Sequence, residues 1–203
     1  MKKLLLILLL LNIQALSAQA PVGGRCEGCE AVFENTVPFD QLGHEVYLPD
    51  WKDQAPQMII RGRVFKKDGK TPAEGVVLYV YHTDQKGIYP VRDQDKGWAR
   101  RHGYIRGWLK TNALGEYAIY TLNPAAYPNE RFAAHIHVFV KEPDKNPYYI
   151  DEYLFEGDPF LTEKEINPSR PRGSKGLISL ARQNGLLTGK RDITLGLNVP
   201  GYH

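Results

Sequence analysis

Ala133-Ala134-His135-Ile136-His137-Val138-Phe139-Val140-Lys141 alternates, so that His135 and His137 share one face and Ile136 and Val138 the other, the two-residue period of a β-strand. Outward from it, β-branched and aromatic residues dominate the short runs Met58 to Phe65, Val76 to His82, Ile105 to Thr111, Glu116 to Leu122 and Asp192 to Leu197. Lys67-Asp68-Gly69-Lys70 and Asn112-Ala113-Leu114-Gly115 carry turn chemistry, and the intervals are too short for crossover helices, which predicts antiparallel pairing. Thr162-Glu163-Lys164-Glu165 has the form of a capping box opening a short helix before Asn167-Pro168, and Ser174 to Asn184 is expected to add a helical turn or two. The expected fold is therefore all-β: an antiparallel β-sandwich with long structured loops and one or two short helices.

The length of 203 residues allows one ordinary domain behind an N-terminal extension. Met1-Lys2-Lys3, the run Leu4 to Leu11 and Ala18-Gln19-Ala20 follow the charged, apolar, small-residue order of a secretory signal peptide, and the apolar run is far shorter than the ~20 residues of a membrane span. Residues 1–20 are thus expected to be a leader, 21–57 an N-terminal arm and 58–203 the sandwich, in a secreted or periplasmic protein. With Lys2 and Lys3 set aside, little of the formal charge of +3 remains, which argues against a nucleic-acid partner. Two cysteines exclude a disulfide-rich scaffold and a four-thiolate zinc module. Cys26-Glu27-Gly28-Cys29 is expected to close a local disulfide in an oxidising compartment; a redox role is disfavoured because no βαβ pattern surrounds it.

The chemistry concentrates around the two histidines, which one strand face presents to a common ion. Tyr127 lies close enough in sequence to fold back onto that ion, since the seven intervening residues reach over roughly 20 Å. Tyr89 ends the loop after the Val76 to His82 strand. Both tyrosines precede proline, in Gly87-Ile88-Tyr89-Pro90 and Ala126-Tyr127-Pro128, which biases their backbones to extended conformations. Taken singly each tyrosine suits a core cover, and each histidine a hydrogen-bonded strand residue; jointly they suit a metal. Ionising one tyrosine at pH 7 costs about 4 kcal/mol and two about 8 kcal/mol, so a hard trivalent cation fits this set better than zinc. Arg100-Arg101-His102 and Arg170, Arg172 and Lys175 are read as solvated faces.

These residues resemble the intradiol ring-cleavage dioxygenases, the non-haem iron family of catechol 1,2-dioxygenase and protocatechuate 3,4-dioxygenase. The resemblance runs through Arg61-Gly62-Arg63-Val64, Val77-Leu78-Tyr79-Val80-Tyr81, Tyr89, Thr111 to Tyr117, Tyr127, Ala134-His135-Ile136-His137 and Tyr153 to Pro159. It implies Fe(III) held by Tyr89, Tyr127, His135 and His137, with Tyr127 and His135 axial and the other two equatorial. It further implies a catechol-type substrate and O2, cleavage between the two hydroxylated carbons to a muconate-type diacid, and a proton-accepting role for Tyr127.

Departures accompany the resemblance. An arginine of the family pattern falls here at Phe132, so Arg131, one place earlier, is the candidate for its catalytic role, provided the backbone bulges. Glu152 stands where the protocatechuate enzymes resemble one another in carrying glutamine, and a carboxylate there disfavours an anionic substrate. Two other readings compete: a cupin-type enzyme using His135, His137 and Glu142, and a secreted, non-catalytic β-sandwich that binds ligands on a tyrosine platform.

Overall fold

The computed structural model describes residues 21–54 and 56–203, so the expected leader lies outside the described residues. Twelve strands build two sheets: β1 (Glu45–Tyr47), β2 (Gln57–Phe65), β3 (Val77–Tyr81), β4 (Arg106–Lys110), β5 (Glu116–Leu122), β6 (His135–Lys141), β7 (Tyr148–Tyr149), β8 (Tyr153–Phe155), β9 (Leu177–Ile178), β10 (Ala181–Gln183), β11 (Leu186–Lys190) and β12 (Ile193–Thr194). One sheet runs β1-β5-β2-β11-β10 with β12 beside β2, and the other runs β4-β3-β6-β8-β9 with β7 beside β6. The inward residues of both close one core, in which Met58, Ile60, Leu78, Val80, Ile136 and Val138 are almost wholly buried. This is the expected β-sandwich, with mixed rather than purely antiparallel sheets. The central pairs β2–β5, β3–β4 and β3–β6 are antiparallel, whereas β1–β5, β2–β11, β2–β12 and β8–β9 are parallel.

Two short helices stand outside the sheets, α1 (Ala99–His102) and α2 (Glu163–Ile166). The second opens on the expected capping box: Thr162 Oγ1 accepts from Glu165 N while the Glu165 carboxylate accepts from Thr162 N. Ser174 to Asn184 forms no helix; it supplies β9 and the exposed β10, and the pairing of Leu154 with Leu177 fixes it as an edge. The Arg100-Arg101-His102 cluster lies on α1, with both arginines exposed and His102 buried.

The segment from 21 to 57 does not hang free. β1 joins the first sheet beside β5, and the 3-10 turn Cys29–Glu34 packs Cys29, Ala31 and Val32 onto Tyr79, Tyr81 and Phe139 on the outer face of the second sheet. Cys26 and Cys29 are joined by a disulfide. Among the described residues no helix is long and apolar enough to cross a membrane.

Candidate metal centre

β6 pairs with β3 so that Tyr81 lies opposite His137 and Tyr79 opposite Phe139. Alternation sends Ile136, Val138 and Val140 into the core and leaves His135 and His137 half-buried on the outer face. There the Tyr81 ring stacks on His137, with centroids 4.4 Å apart, and on His102 at 3.8 Å. The Tyr79 hydroxyl completes this layer by hydrogen-bonding His102 Nδ1 at 2.9 Å, while burial drives His102 down to about 3 and keeps it neutral.

The two tyrosines arrive from loops that are fastened together. Thr83 Oγ1 donates to Ala125 O at 2.7 Å and Ala125 N to Asp84 O at 3.1 Å. Asp84 Oδ1 in turn accepts from Lys86 N and Ile88 N, shaping the turn before Tyr89. Gly87 sits at φ +75°, and a Cβ there would stand 2.0 Å from Ala126 O. Only glycine therefore allows the Tyr89 loop to lie against the backbone that leads into Tyr127.

Four donor atoms converge as a result. Tyr89 Oη lies 2.5 Å from Tyr127 Oη and 2.8 Å from His137 Nε2. Tyr127 Oη lies 3.1 Å from His135 Nε2 and 3.5 Å from His137 Nε2, and the two Nε2 atoms are 3.1 Å apart. Ligands bonded at about 2.1 Å and at right angles stand about 3 Å from one another, so the spacing suits a shared ion. Tyr127 and His135, expected on one axis, are direct neighbours here; Tyr89 and His135 are the pair that shares no hydrogen bond.

Tautomers strengthen the case. His135 Nδ1–H donates to Ala133 O at 2.7 Å and His137 Nδ1–H to the Glu152 carboxylate at 2.7 Å. A carbonyl cannot donate, so in the neutral His135 ring, which burial favours by lowering its pKa, the Nε2 lone pair faces the cluster. That lone pair is available to the Tyr127 hydroxyl proton at 3.1 Å or, in its place, to a cation. Burial pushes the Tyr89 phenol well above its ordinary range, and its hydrogen bond with Tyr127 adds to the rise. Burial raises Tyr127 as well, against the opposing effect of that hydrogen bond. Both phenols thus stay protonated at neutral pH unless a strong positive charge ionises them, and the donor set fits ferric iron by its chemistry.

Glu152 lies in the same neighbourhood, with one ligand atom from each of His135, His137 and Glu152 inside 4.8 Å. Its carboxylate is on the Nδ1 side of His137, opposite the nitrogen that meets the phenols, which makes it an orienting partner of a ligand in this geometry. Burial works to raise its pKa, but the hydrogen bond with His137 holds it below the usual range.

Arg131 is not brought into the cluster. It is exposed and makes no side-chain hydrogen bond among the described residues, because β6 begins only at His135 and 128–134 is an irregular loop without strand alternation. Glu142, required by the cupin-type set, is committed elsewhere, accepting from Tyr148 Oη at 2.7 Å and Tyr202 Oη at 2.8 Å. The sequence reading also missed Tyr81 and His102 as the support behind His137. The signal was present in Tyr79-x-Tyr81, one residue off a strand centre that pairs in register with the histidine strand.

A cavity of about 940 Å³ opens beside the cluster, lined by Tyr89, Tyr127, His137 and Glu152 and walled by Trp98 and Tyr149.

The sequence profile of a family described as "Dioxygenase" matches residues 33–185. Catechol 1,2-dioxygenase 2 of Acinetobacter lwoffii is 27% identical over 152 residues, covering 67% of this chain and 52% of the relative. Catechol 1,2-dioxygenase 1 of the same organism is 30% identical over 125 residues, covering 54% and 39%. The chain thus spans about half the length, or less, of these curated relatives. In fold it is similar to the dioxygenase domain of a dioxygenase carbohydrate-binding protein fusion from Streptomyces sp. SirexAA-E, with a TM-score of 0.56 at 21% identity over 80% of this chain and 95% of that domain.

Proposed function

The chain belongs to the intradiol ring-cleavage dioxygenase family, and on that premise we propose that it holds non-haem Fe(III) on Tyr89, Tyr127, His135 and His137 and cleaves a catechol-type ring with O2 between its two hydroxylated carbons. The product is then a muconate-type diacid. The observation that carries this reading is the meeting of two phenolic oxygens with two Nε2 atoms, with Nδ1 of both imidazoles engaged elsewhere.

When bound, ferric iron supplies the positive charge that ionises the phenols and an electron-accepting centre for a chelated diol. The protein's own groups do the rest. Tyr127 Oη lies within 3.5 Å of the three other donor atoms, so its phenolate would stand where it can take a diol proton. Tyr81 and Glu152 hold His137 from two sides, fixing the direction of Nε2. Trp98 and Tyr149 give the ring an apolar wall and limit water.

Iron-loaded protein is expected to be burgundy, with a broad visible band from the tyrosinates, and to take up oxygen with catechol while the ultraviolet spectrum of a muconate appears. Tyr127→Phe should lower turnover by roughly 100-fold or more and weaken iron retention. A colourless, fully iron-loaded protein, or ring opening next to the diol instead of within it, would reject the assignment. We also propose export, supported by the leader-like first twenty residues and the Cys26–Cys29 bridge. N-terminal sequencing of protein recovered outside the cytoplasm should show the leader removed.

A further inference from the structure

The cavity beside the metal centre is charged differently at its two ends. At the inner end Glu152 touches the metal-site residue His137, and it is held there from behind. Leu154 N donates to Gly176 O at 3.0 Å, and a Cβ on Gly176 would stand 2.0 Å from Glu152 O. The Glu152 backbone is therefore held in place, and its carboxylate, bonded to His137 Nδ1 at 2.7 Å, lines the cavity on the metal-site side. Toward the mouth, Arg101, Lys164 and Arg170 line the same cavity and are all exposed; the lining also holds the carboxylates of Glu27, Asp151 and Glu165, the last engaged by Thr162 N and Oγ1. Arg101 pairs with Glu27 at 3.1 Å, while Lys164 and Arg170 form no ion pair among the described residues. The volume of about 940 Å³ is several times what a bare catechol fills.

We propose that the substrate class is a catechol whose ring carries no anionic group and whose acidic group sits at the end of a side chain, with the ring beside Glu152 and the acid among the cations at the mouth. A carboxylate attached directly to the ring would share the inner part of the cavity with the Glu152 carboxylate, where like charges repel. The same negative charge carried two carbons farther out moves away from Glu152 and towards Lys164 and Arg170. The inference rests on the proposed function for the diol's attachment at the metal, and it adds where charge is tolerated.

The test compares 3,4-dihydroxybenzoate with 3,4-dihydroxycinnamate, which share the diol and the net charge and differ in where that charge sits; catechol is the neutral reference. For the iron-loaded wild type, kcat/KM is expected to be at least tenfold higher for the cinnamate than for the benzoate. Glu152→Gln keeps an acceptor for His137 Nδ1–H while removing the charge. It should shrink that ratio severalfold through a gain on the benzoate, with the visible band retained as proof of an intact centre. Lys164→Ala combined with Arg170→Ala should lower kcat/KM for the cinnamate more than for catechol. Equal use of benzoate and cinnamate by the wild type, or a ratio untouched by Glu152→Gln, overturns the proposal. Calorimetric binding of the same diols applies the same criterion if none is turned over, a result that would sink the proposed function by itself.

Discussion

Tyr127 shows how much of the centre one side chain carries, because its oxygen lies within 3.5 Å of the other three donor atoms. His137→Ala should be at least as damaging as Tyr127→Phe, since it also empties the stack on Tyr81, yet neither residue lies in the inter-sheet core, so both variants should remain folded. Circular dichroism with iron analysis checks the two expectations together. Arg131→Ala should leave both the visible band and oxygen uptake near wild type; a loss of roughly 100-fold in kcat would return Arg131 to the site. The four donors were legible in the sequence because each carried a local constraint: strand alternation for the histidines, a following proline for the tyrosines. Arg131 was named on the condition that the backbone bulges; 131–134 is irregular, and there the Arg131 side chain is exposed. The hydrogen bond between Glu152 and His137 was not legible, since it depends on how β8 and Gly176 lie against each other.

At the scale of elements, the loops that deliver the tyrosines act as one body because Gly87 lets them touch. Gly87→Ala must displace either its own loop or Ala126, moving Tyr89 relative to Tyr127, and is also strained by its positive φ. We expect destabilisation of about 1–3 kcal/mol together with a larger proportional loss of iron affinity. Thermal unfolding alongside chelator competition separates the two effects, and unchanged iron retention would show that the loops are not coupled. The central strands were readable from two-residue periodicity, with ends shifted by one or two residues. The run holding β12 was readable as a strand, but the parallel pairings were not, because β9 and β12 contribute two residues each and are defined by partners far along the chain. Ser174 to Asn184 illustrates the limit: its composition permits a helical turn, and long-range pairing decides for strand.

For the whole molecule, buried neutral histidine sets an acid limit. His82 is fully enclosed, bonded to Thr83 O at 2.6 Å and Thr121 Oγ1 at 2.5 Å, and burial drives its pKa down to about 4 from an ordinary 6.5. The unfolded chain binds this proton first, so stability is full above pH 6.5, declines as pH falls through the window and has lost about 3 kcal/mol by pH 4. Tm should drop by roughly 6–12 °C between pH 7 and pH 4 from this residue. His82→Asn should flatten that slope even if it lowers Tm at neutral pH; an unaltered slope would assign the acid sensitivity to other groups.

The 3-10 turn after the disulfide packs beneath Tyr79 and Tyr81, while Glu27 beside it lines the cavity mouth. The donors come from the sandwich, but part of the entrance comes from the chain's beginning. Substitutions in this short stretch can therefore redraw the doorway, while those at Ala31 and Val32 also reach the hearth through the ring that braces His137.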